Sequence, residues 1–588
     1  MVADTEVAFE SSSSKTENFS SSPLLLFSSS PRLLFSSSPL PAIVLHLLIT
    51  LPLAYVLNVW SDESSTLFST GRGVSDAFYN VFANEKQAPL YFLLLSLWRG
   101  LNGSIFFARG LSILCGALAI WFFAGLARKF FDRRGAFLLT AFFALHPFLI
   151  WASLEIRLYS LVVLLTVMLL RFFADAYLTD DDANGRKRRE ILYLLTAVAG
   201  LYTNYYLGFV LVGNFAALLV LRRWTAARRY FLGMIVVGAA ILPLLWMIKL
   251  QLAGGAASVQ APRRLAEGIR LIWNSGLNFV LPTELFPPEN ITTVSYVRVW
   301  AVRLLIPVAA FLLFKKRRAL DPFLFAFGTI AAVVAGFLLV AYFLLGDIYV
   351  EIRHAAVLFP PLVLTAALVL RSLFGRRGED LRRGEEEKRR RGDGSYSGDE
   401  ISPESGALVA QKEISFEASS SKTKNLSSSP LLLFSSSPLL LFSSSLLLLF
   451  AYSIHSLYPE MAKRGDWGRV AEYIEQREKP GQPIVVFTVF DALNLPYHYR
   501  GQNRILPDER FFDWGFEGKL GGAEAIAEEN EFAISKIPLD APEIWLATGE
   551  RCRTTNACAL LENFVEANYT IIEEKDFYKE RVRLLRKK

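Results

Sequence analysis

Two adjacent carboxylates, Asp62 and Glu63, stand in NVWSDESSTLF directly after the first long apolar run of the chain. Acidic pairs beside a membrane-length segment are costly unless they are solvated or used, so the pair marks either a solvated loop start or the edge of an aqueous cavity. A second group lies in HPFLIWASLEIRLYSL, where Glu155, Arg157 and Tyr159 fall two apart at a helix boundary between apolar runs. Arg109 opens another apolar run, and Arg353 with His354 precedes a further one. Any one arginine at such a place is explained by snorkelling to the headgroups. Several together point to an anionic group at the membrane surface, such as a lipid phosphate.

These residues are positioned by a chain whose main solvent must be lipid. It has 588 residues, 53% of them hydrophobic and only 20% charged, with a mean hydropathy of +0.33, which is too apolar for a soluble protein. The formal net charge of +7 is carried in short Lys and Arg bursts between apolar runs, a pattern that suits loops at an anionic leaflet and argues against a nucleic-acid partner. Apolar runs near bilayer length occur at 40–59, 108–127, 136–153, 158–177, 191–206, 207–221, 230–249, 296–314, 320–345 and 355–374, with a further one near 430–454, so about eleven crossings are expected. The stretch PLYFLLLSLW, residues 89–98, is about half the usual length. If it does not cross, the clusters at Arg128 to Arg134, Arg186 to Arg189, Arg222 to Arg229, Lys315 to Arg318 and Arg371 to Arg390 share one side, which the positive-inside rule makes cytoplasmic. Residues 89–101 then read as an interfacial or re-entrant helix, and every group named above gathers on the outer face, together with the C-terminal domain.

A block that reads FESSSSKTENFSSSPLLLFSSSPRLLFSSS at residues 9–38 returns at 416–445 in nearly the same form. Its short apolar runs are broken by Ser-Ser-Ser-Pro, so neither helical periodicity nor the apolar core of a secretory signal is present, and it reads as repetitive insertion. The domain organisation expected is therefore a low-complexity cytoplasmic N-terminus over 1–39, a membrane module over 40–374, a charged and Ser-rich insert over 375–429, a last span over 430–457 and an extracytoplasmic α/β domain over 458–588. In that domain DWGRVAEYIEQ and CALLENFVEANY read as helices, GQPIVVFTVF and APEIWLAT as strands. Its aromatic residues Tyr497, Tyr499, Phe511, Phe512 and Trp514 read mainly as core, with glycan stacking the lesser alternative. Cys552 and Cys558 are either a short-loop disulfide or two free thiols, and no Cys or His spacing reads as a metal motif.

The ordered series DE after the first span, then APLYFLLLSLW with a following GS and ARGLSILCGAL, then LEIRLYSL, and late in the chain EIRHAAVLFPPLVL, resembles the membrane glycosyltransferases of the GT-C fold. It is most similar to the branch that contains protein O-mannosyltransferases and aminoarabinose transferases, over residues 40–374 and the last span. One place departs from the pattern: the family usually reads His-Pro-Pro or Lys-Pro-Pro before PLYF, where this chain has Gln87, Ala88 and Pro89, with Lys86 the candidate substitute.

The resemblance implies a polytopic α-helical protein of the inner membrane with a C-terminal soluble α/β domain. It implies transfer of a sugar from a polyprenyl-phosphate carrier to a lipid, glycan or protein acceptor at the outer face. Asp62 would be the base, and Glu63 would orient it or the acceptor, or share a proton with it. Glu155 would bind acceptor or sugar hydroxyls, the alternative being an ion pair with Arg157. Arg109, Arg157 and Arg353 would hold the phosphate, while Tyr159, Lys86 and His354 complete the substrate-binding set. No cofactor is required, and a divalent cation bridging Asp62 and Glu155 stays compatible. The alternatives in other classes are a transporter or flippase, which favours ionisable groups at mid-membrane, and a non-catalytic scaffold displaying the C-terminal domain.

Overall fold

The structure is a computed structural model that describes residues 38–85, 87–179, 183–253, 264–282, 321–345, 352–374, 431–487, 493–507, 523–550 and 556–588, with isolated positions at 285, 293, 296–297, 300–301, 311 and 552. Lys86, Phe511, Phe512, Trp514, the first copy of the repeat up to residue 37 and the charged stretch 376–400 lie outside them, as does most of the run expected at 296–314.

The membrane module opens with α1 (Leu40–Val56), a short extended stretch and α2 (Ser61–Ser69), bent 86° from it. After α3 (Val74–Asn80) and a π-helical turn over Val81–Glu85 comes α4 (Leu90–Arg99), which is the segment 89–98 of the charge argument. Ten residues of helix rise only about 15 Å, half of a hydrocarbon core, so α4 does not cross as a straight span. The long helix α5 (Ile105–Phe130) follows, its start capped by Ser104, whose Oγ accepts from the Phe107 amide at 3.3 Å. Arg128 and Lys129 occupy its last turn, where cations meet the negative end of the helix dipole. Asp132 then caps α6 (Arg133–Leu145) by accepting from the Gly135 amide at 3.1 Å.

The run expected at 136–153 is broken, because Pro147 has no amide to continue the ladder. The chain bends 48° there and restarts as α7 (Pro147–Leu154), with His146 Nδ1 accepting from the Phe148 amide at 3.1 Å. The helix α8 (Tyr159–Phe173) is buried along most of its length and extends by a π-turn over Ala174–Leu178. Packed around α5 and α8 are α9 (Ala183–Leu201), α10 (Leu207–Val220), α11 (Trp224–Ala240), α12 (Leu242–Ala253), α13 (Leu265–Val280), α14 (Pro322–Leu345) and, after a 3-10 turn at His354–Leu358, α15 (Phe359–Phe374). The last apolar run is α16 (Leu431–Leu457). Among the described residues four helices are long and apolar enough to cross a bilayer, and seven if each bent pair is one span; the protein is an integral membrane protein.

Beyond α16 the chain builds a five-stranded sheet of order β2-β1-β3-β5-β4, from β1 (Ile484–Phe487), β2 (Ile505–Leu506), β3 (Glu543–Thr548), β4 (Tyr569–Asp576) and β5 (Arg581–Lys587). β1 pairs parallel to β2 and β3, while β5 runs antiparallel between β3 and β4. Alternate residues of β1 enter two separate cores: Val485 and Phe487 meet α19 (Ala523–Ser535) and α20 (Ala559–Asn568), and Ile484 and Val486 meet α17 (Trp467–Glu475). A strand covered on both faces reads as one continuous apolar run, which is why GQPIVVFTVF and APEIWLAT stood out. The β4–β5 hairpin did not, because β4 is an edge strand with mostly exposed side chains. A four-residue helix, α18 (Leu495–His498), leaves β1 toward the membrane module, and Cys552 and Cys558 are disulfide-bonded.

Candidate functional site

The site begins with a helix end that needs partners. The last carbonyls of α1 have no amide to accept from, and Arg109, four residues inside α5, supplies them: Nη1 donates to Ala54 O at 2.9 Å and Leu57 O at 2.7 Å, and Nη2 to Asn58 O at 2.7 Å. The chain then runs through buried Leu57, Val59 and Trp60 into α2, which carries Asp62 and Glu63 in its first turn, where carboxylates are favoured by the helix dipole.

Glu63 points inward and is fully buried. Its Oε2 pairs with Arg109 Nη2 at 3.1 Å; its Oε1 accepts from the Ile156 amide at 2.9 Å and from Lys463 Nζ at 2.7 Å. Burial pushes its carboxyl up, but the Arg109 and Lys463 charges and these hydrogen bonds outweigh burial and hold it below the usual range. Lys463, from the segment after α16, also donates to Leu154 O at 2.9 Å and pairs with Glu155 Oε1 at 3.1 Å. The other oxygen of Glu155 accepts from Trp60 Nε1 at 2.7 Å. Burial, followed by the neighbouring Glu63 charge, raises the Glu155 carboxyl above its ordinary value despite Lys463. Burial lowers the Lys463 ammonium against the pull of both glutamates.

Arg157 turns the other way. Its Nη1 pairs with Glu85 Oε2 at 2.9 Å and donates to Thr66 Oγ1 at 2.7 Å, with the Asp62 carbonyl at 3.4 Å. Glu85 in turn accepts from Ser65 and Ser69 of α2 at 2.8 and 3.0 Å. Asp62 faces outward and pairs with Arg353. Arg353 and Arg464 both lie over the Trp60 ring, at 5.7 and 4.2 Å from its centroid. Tyr159 stacks on Trp151, 5.0 Å between centroids, and the buried His354 Nδ1 has no hydrogen-bond partner among the described residues.

Asp62, Glu63, Glu155, Arg157, Arg109 and Arg353 therefore converge, but with roles sorted by burial. Glu63 and Arg109 are wholly enclosed with both carboxylate oxygens and both terminal guanidinium nitrogens engaged, so the expectation that Arg109 grips a phosphate gives way to one in which it caps α1. The expected alternative of a Glu155–Arg157 pair is replaced by Glu155–Lys463 and Arg157–Glu85. A cation bridging Asp62 and Glu155 would have to displace Trp60, Lys463 and Arg353, and among the described residues no group of three His, Cys, Asp or Glu side chains is placed to hold a metal. Trp60, Glu85, Lys463 and Arg464 were not singled out in the sequence. Only Trp60, beside the acidic pair, carried a local signal.

No protein-family model matches the sequence, and no curated protein matches it either. Solved structures do. The crystal structure of ArnT from Cupriavidus metallidurans bound to undecaprenyl phosphate superposes with a TM-score of 0.52 at 14% identity, covering 94% of this chain and 97% of that one. The archaeal oligosaccharyltransferase AglB from Archaeoglobus fulgidus, in complex with an inhibitory peptide and a dolichol-phosphate, matches at a TM-score of 0.44 and 13% identity, over 91% of this chain and 72% of that one. At this identity the likeness to ArnT concerns the fold: the chain has the GT-C fold that its motif series resembles.

Proposed function

We propose that this protein is a membrane glycosyltransferase that moves a sugar from a polyprenyl-phosphate carrier to a lipid, glycan or protein acceptor at the outer face of the membrane. The observation that carries the reading is a contrast within one cluster. The side chains of Glu63, Glu155 and Glu85 are 0%, 1% and 4% exposed, whereas that of Asp62 is 28% exposed. Asp62 is thus the carboxylate an acceptor reaches, held in place by neighbours that themselves stay out of reach.

In the proposed step the acceptor oxygen attacks the anomeric carbon and gives its proton to Asp62, while the sugar–phosphate bond breaks and the carrier leaves as an anion. Among the described residues the cluster has four carboxylates, Asp62, Glu63, Glu85 and Glu155, against five cations, Arg109, Arg157, Arg353, Lys463 and Arg464. The single positive excess suits a singly charged phosphodiester donor. Arg353 pairs with Asp62 here; turning toward the donor phosphate would strengthen the anion site and free the base together. Arg157 adds to the same field, with Tyr159 and His354 around it. Glu155, raised by burial and hydrogen-bonded to Trp60, holds the Trp60 ring beside Asp62. In this reading the arginines neutralise the departing phosphate, so no metal ion is demanded, and a divalent cation stays compatible with the reaction.

The likeness to ArnT, whose structure holds undecaprenyl phosphate, supports the carrier. The outer-face assignment is supported by charge and by redox chemistry. Arg109 and Lys129 sit near opposite ends of α5, about 30 Å apart at 1.5 Å per residue, which is a bilayer's hydrocarbon thickness. The Cys552–Cys558 disulfide belongs in an oxidising compartment. The test is mass spectrometry of extracted lipids and surface glycans from cells with and without the gene, paired with native mass spectrometry of the purified protein and undecaprenyl phosphate. One missing sugar and a bound lipid are expected. An unchanged profile without lipid binding would leave the scaffold reading.

A further inference from the structure

The segment that follows the last span does more than tether the C-terminal domain. The backbone of Lys463 is locked to Asn58 in both directions: its amide donates to Asn58 Oδ1 at 2.7 Å and its carbonyl accepts from Asn58 Nδ2 at 3.2 Å. Asn58 Nδ2 also donates to Gly465 O at 2.7 Å. The Lys463 side chain then runs to the far end of the same loop, where its ammonium has three acceptors, Glu63 Oε1, Leu154 O and Glu155 Oε1. Three N–H groups facing three acceptors leave that ammonium saturated, with a side chain only 3% exposed. The α18 region adds three more ties: His498 Nε2 accepts from the Val59 amide at 3.0 Å, Ser64 Oγ donates to Asn494 Oδ1 at 2.6 Å, and Tyr497 OH donates to Ser64 O at 3.3 Å.

Asp62 therefore lies between two points, Asn58 and Glu63, that one residue fixes. The same residue holds the facing turn at Leu154 and Glu155, so the loop that bears the exposed carboxylate and the turn that bears Arg157 are set against each other by Lys463. We propose that Lys463 is a positioning residue of the site: it seats the loop 58–64 so that Asp62, Arg353 and Trp60 face the carrier phosphate, and thereby makes the site depend on a docked C-terminal segment. This rests on the carrier reading above, though the loop geometry on which it stands does not.

The test uses the full-length protein in detergent with undecaprenyl phosphate as the probe. Removing Lys463 alone leaves buried carboxylates uncompensated and can unfold the protein, so the informative variant is Lys463→Met combined with Glu155→Gln. The expected result is a wild-type melting temperature, hydrogen exchange over residues 57–67 at least about tenfold faster, and a Kd for undecaprenyl phosphate raised about tenfold. A role in stability alone moves the melting temperature and not the affinity of the folded fraction. Wild-type exchange in that loop, or faster exchange with unchanged affinity, overturns the proposal. If the wild type itself does not bind undecaprenyl phosphate, the carrier reading fails, and loop exchange alone then decides whether Lys463 sets the loop.

Discussion

Glu63 and Arg109 form an ion pair at 3.1 Å in which both side chains are completely buried. The pair joins the start of α2 to α5, and Nη1 and Nη2 of Arg109 also hold the end of α1, so three helices meet at one guanidinium. Breaking one side of a buried pair strands a charge, which costs about 3–5 kcal/mol, whereas deleting both partners costs far less. Arg109→Met is therefore expected to lower the apparent melting temperature strongly, and addition of Glu63→Gln to recover part of the loss. Fluorescence-detected size exclusion after heating checks this. A single variant as stable as wild type would remove Arg109 from the scaffold.

Asp62 should separate chemistry from folding. Asp62→Asn keeps size and one hydrogen-bonding oxygen for Arg353 but cannot take a proton, and loss of a general base typically costs about 10²–10⁴-fold in rate. Sugar transfer is expected to fall by that factor, while membrane insertion and retention of undecaprenyl phosphate stay near wild type. Full transfer by this variant would eliminate the proposed base.

The contrast between these two residues shows where the sequence was legible. Asp62, Arg157 and Arg353 could be found because each stands beside an apolar run, and charge at such a boundary is conspicuous. What a single sequence hides is pairing between distant elements. Arg109, Glu63 and Glu155 look like the same kind of boundary charge, and only the carbonyls at the end of α1 and Lys463, lying beyond the last span, reveal what each of them holds. Glu85 reads as an ordinary loop acid until Arg157 meets it. In the C-terminal domain the doubly covered strands β1 and β3 were legible from composition, and the solvated edge strand β4 was not.

Sidedness can be read from the disulfide. Cys115 is buried, so in intact cells thiol labelling of the Cys558→Ala variant reports on Cys552. A membrane-impermeant maleimide should label that variant without prior permeabilisation and leave the disulfide-bonded wild type unlabelled. Labelling only after permeabilisation would place the C-terminal domain, and with it the cluster around Lys463, on the cytoplasmic side.

The docking of that domain should also respond to acid through His498. Burial, followed by the Arg109 charge, lowers His498 from the ordinary 6.5 to about 4, and as the neutral ring it accepts the Val59 amide. Because the docked value lies below the free one, protons favour the undocked form. The contribution is complete above pH 6.5 and is lost as pH falls from 6.5 toward 4, with an upper limit of about 3 kcal/mol at 1.36 kcal/mol per unit. Glu63 is held below its ordinary value by Arg109, Lys463 and its hydrogen bonds, so it protonates later than an ordinary glutamate as pH falls. Hydrogen exchange over residues 57–64 should therefore quicken between pH 7 and 4.5, after correction for the intrinsic pH dependence of exchange. His498→Gln, which keeps an acceptor for Val59 but cannot protonate, should flatten the response. A pH dependence identical in the two proteins would show that His498 does not sense the proton.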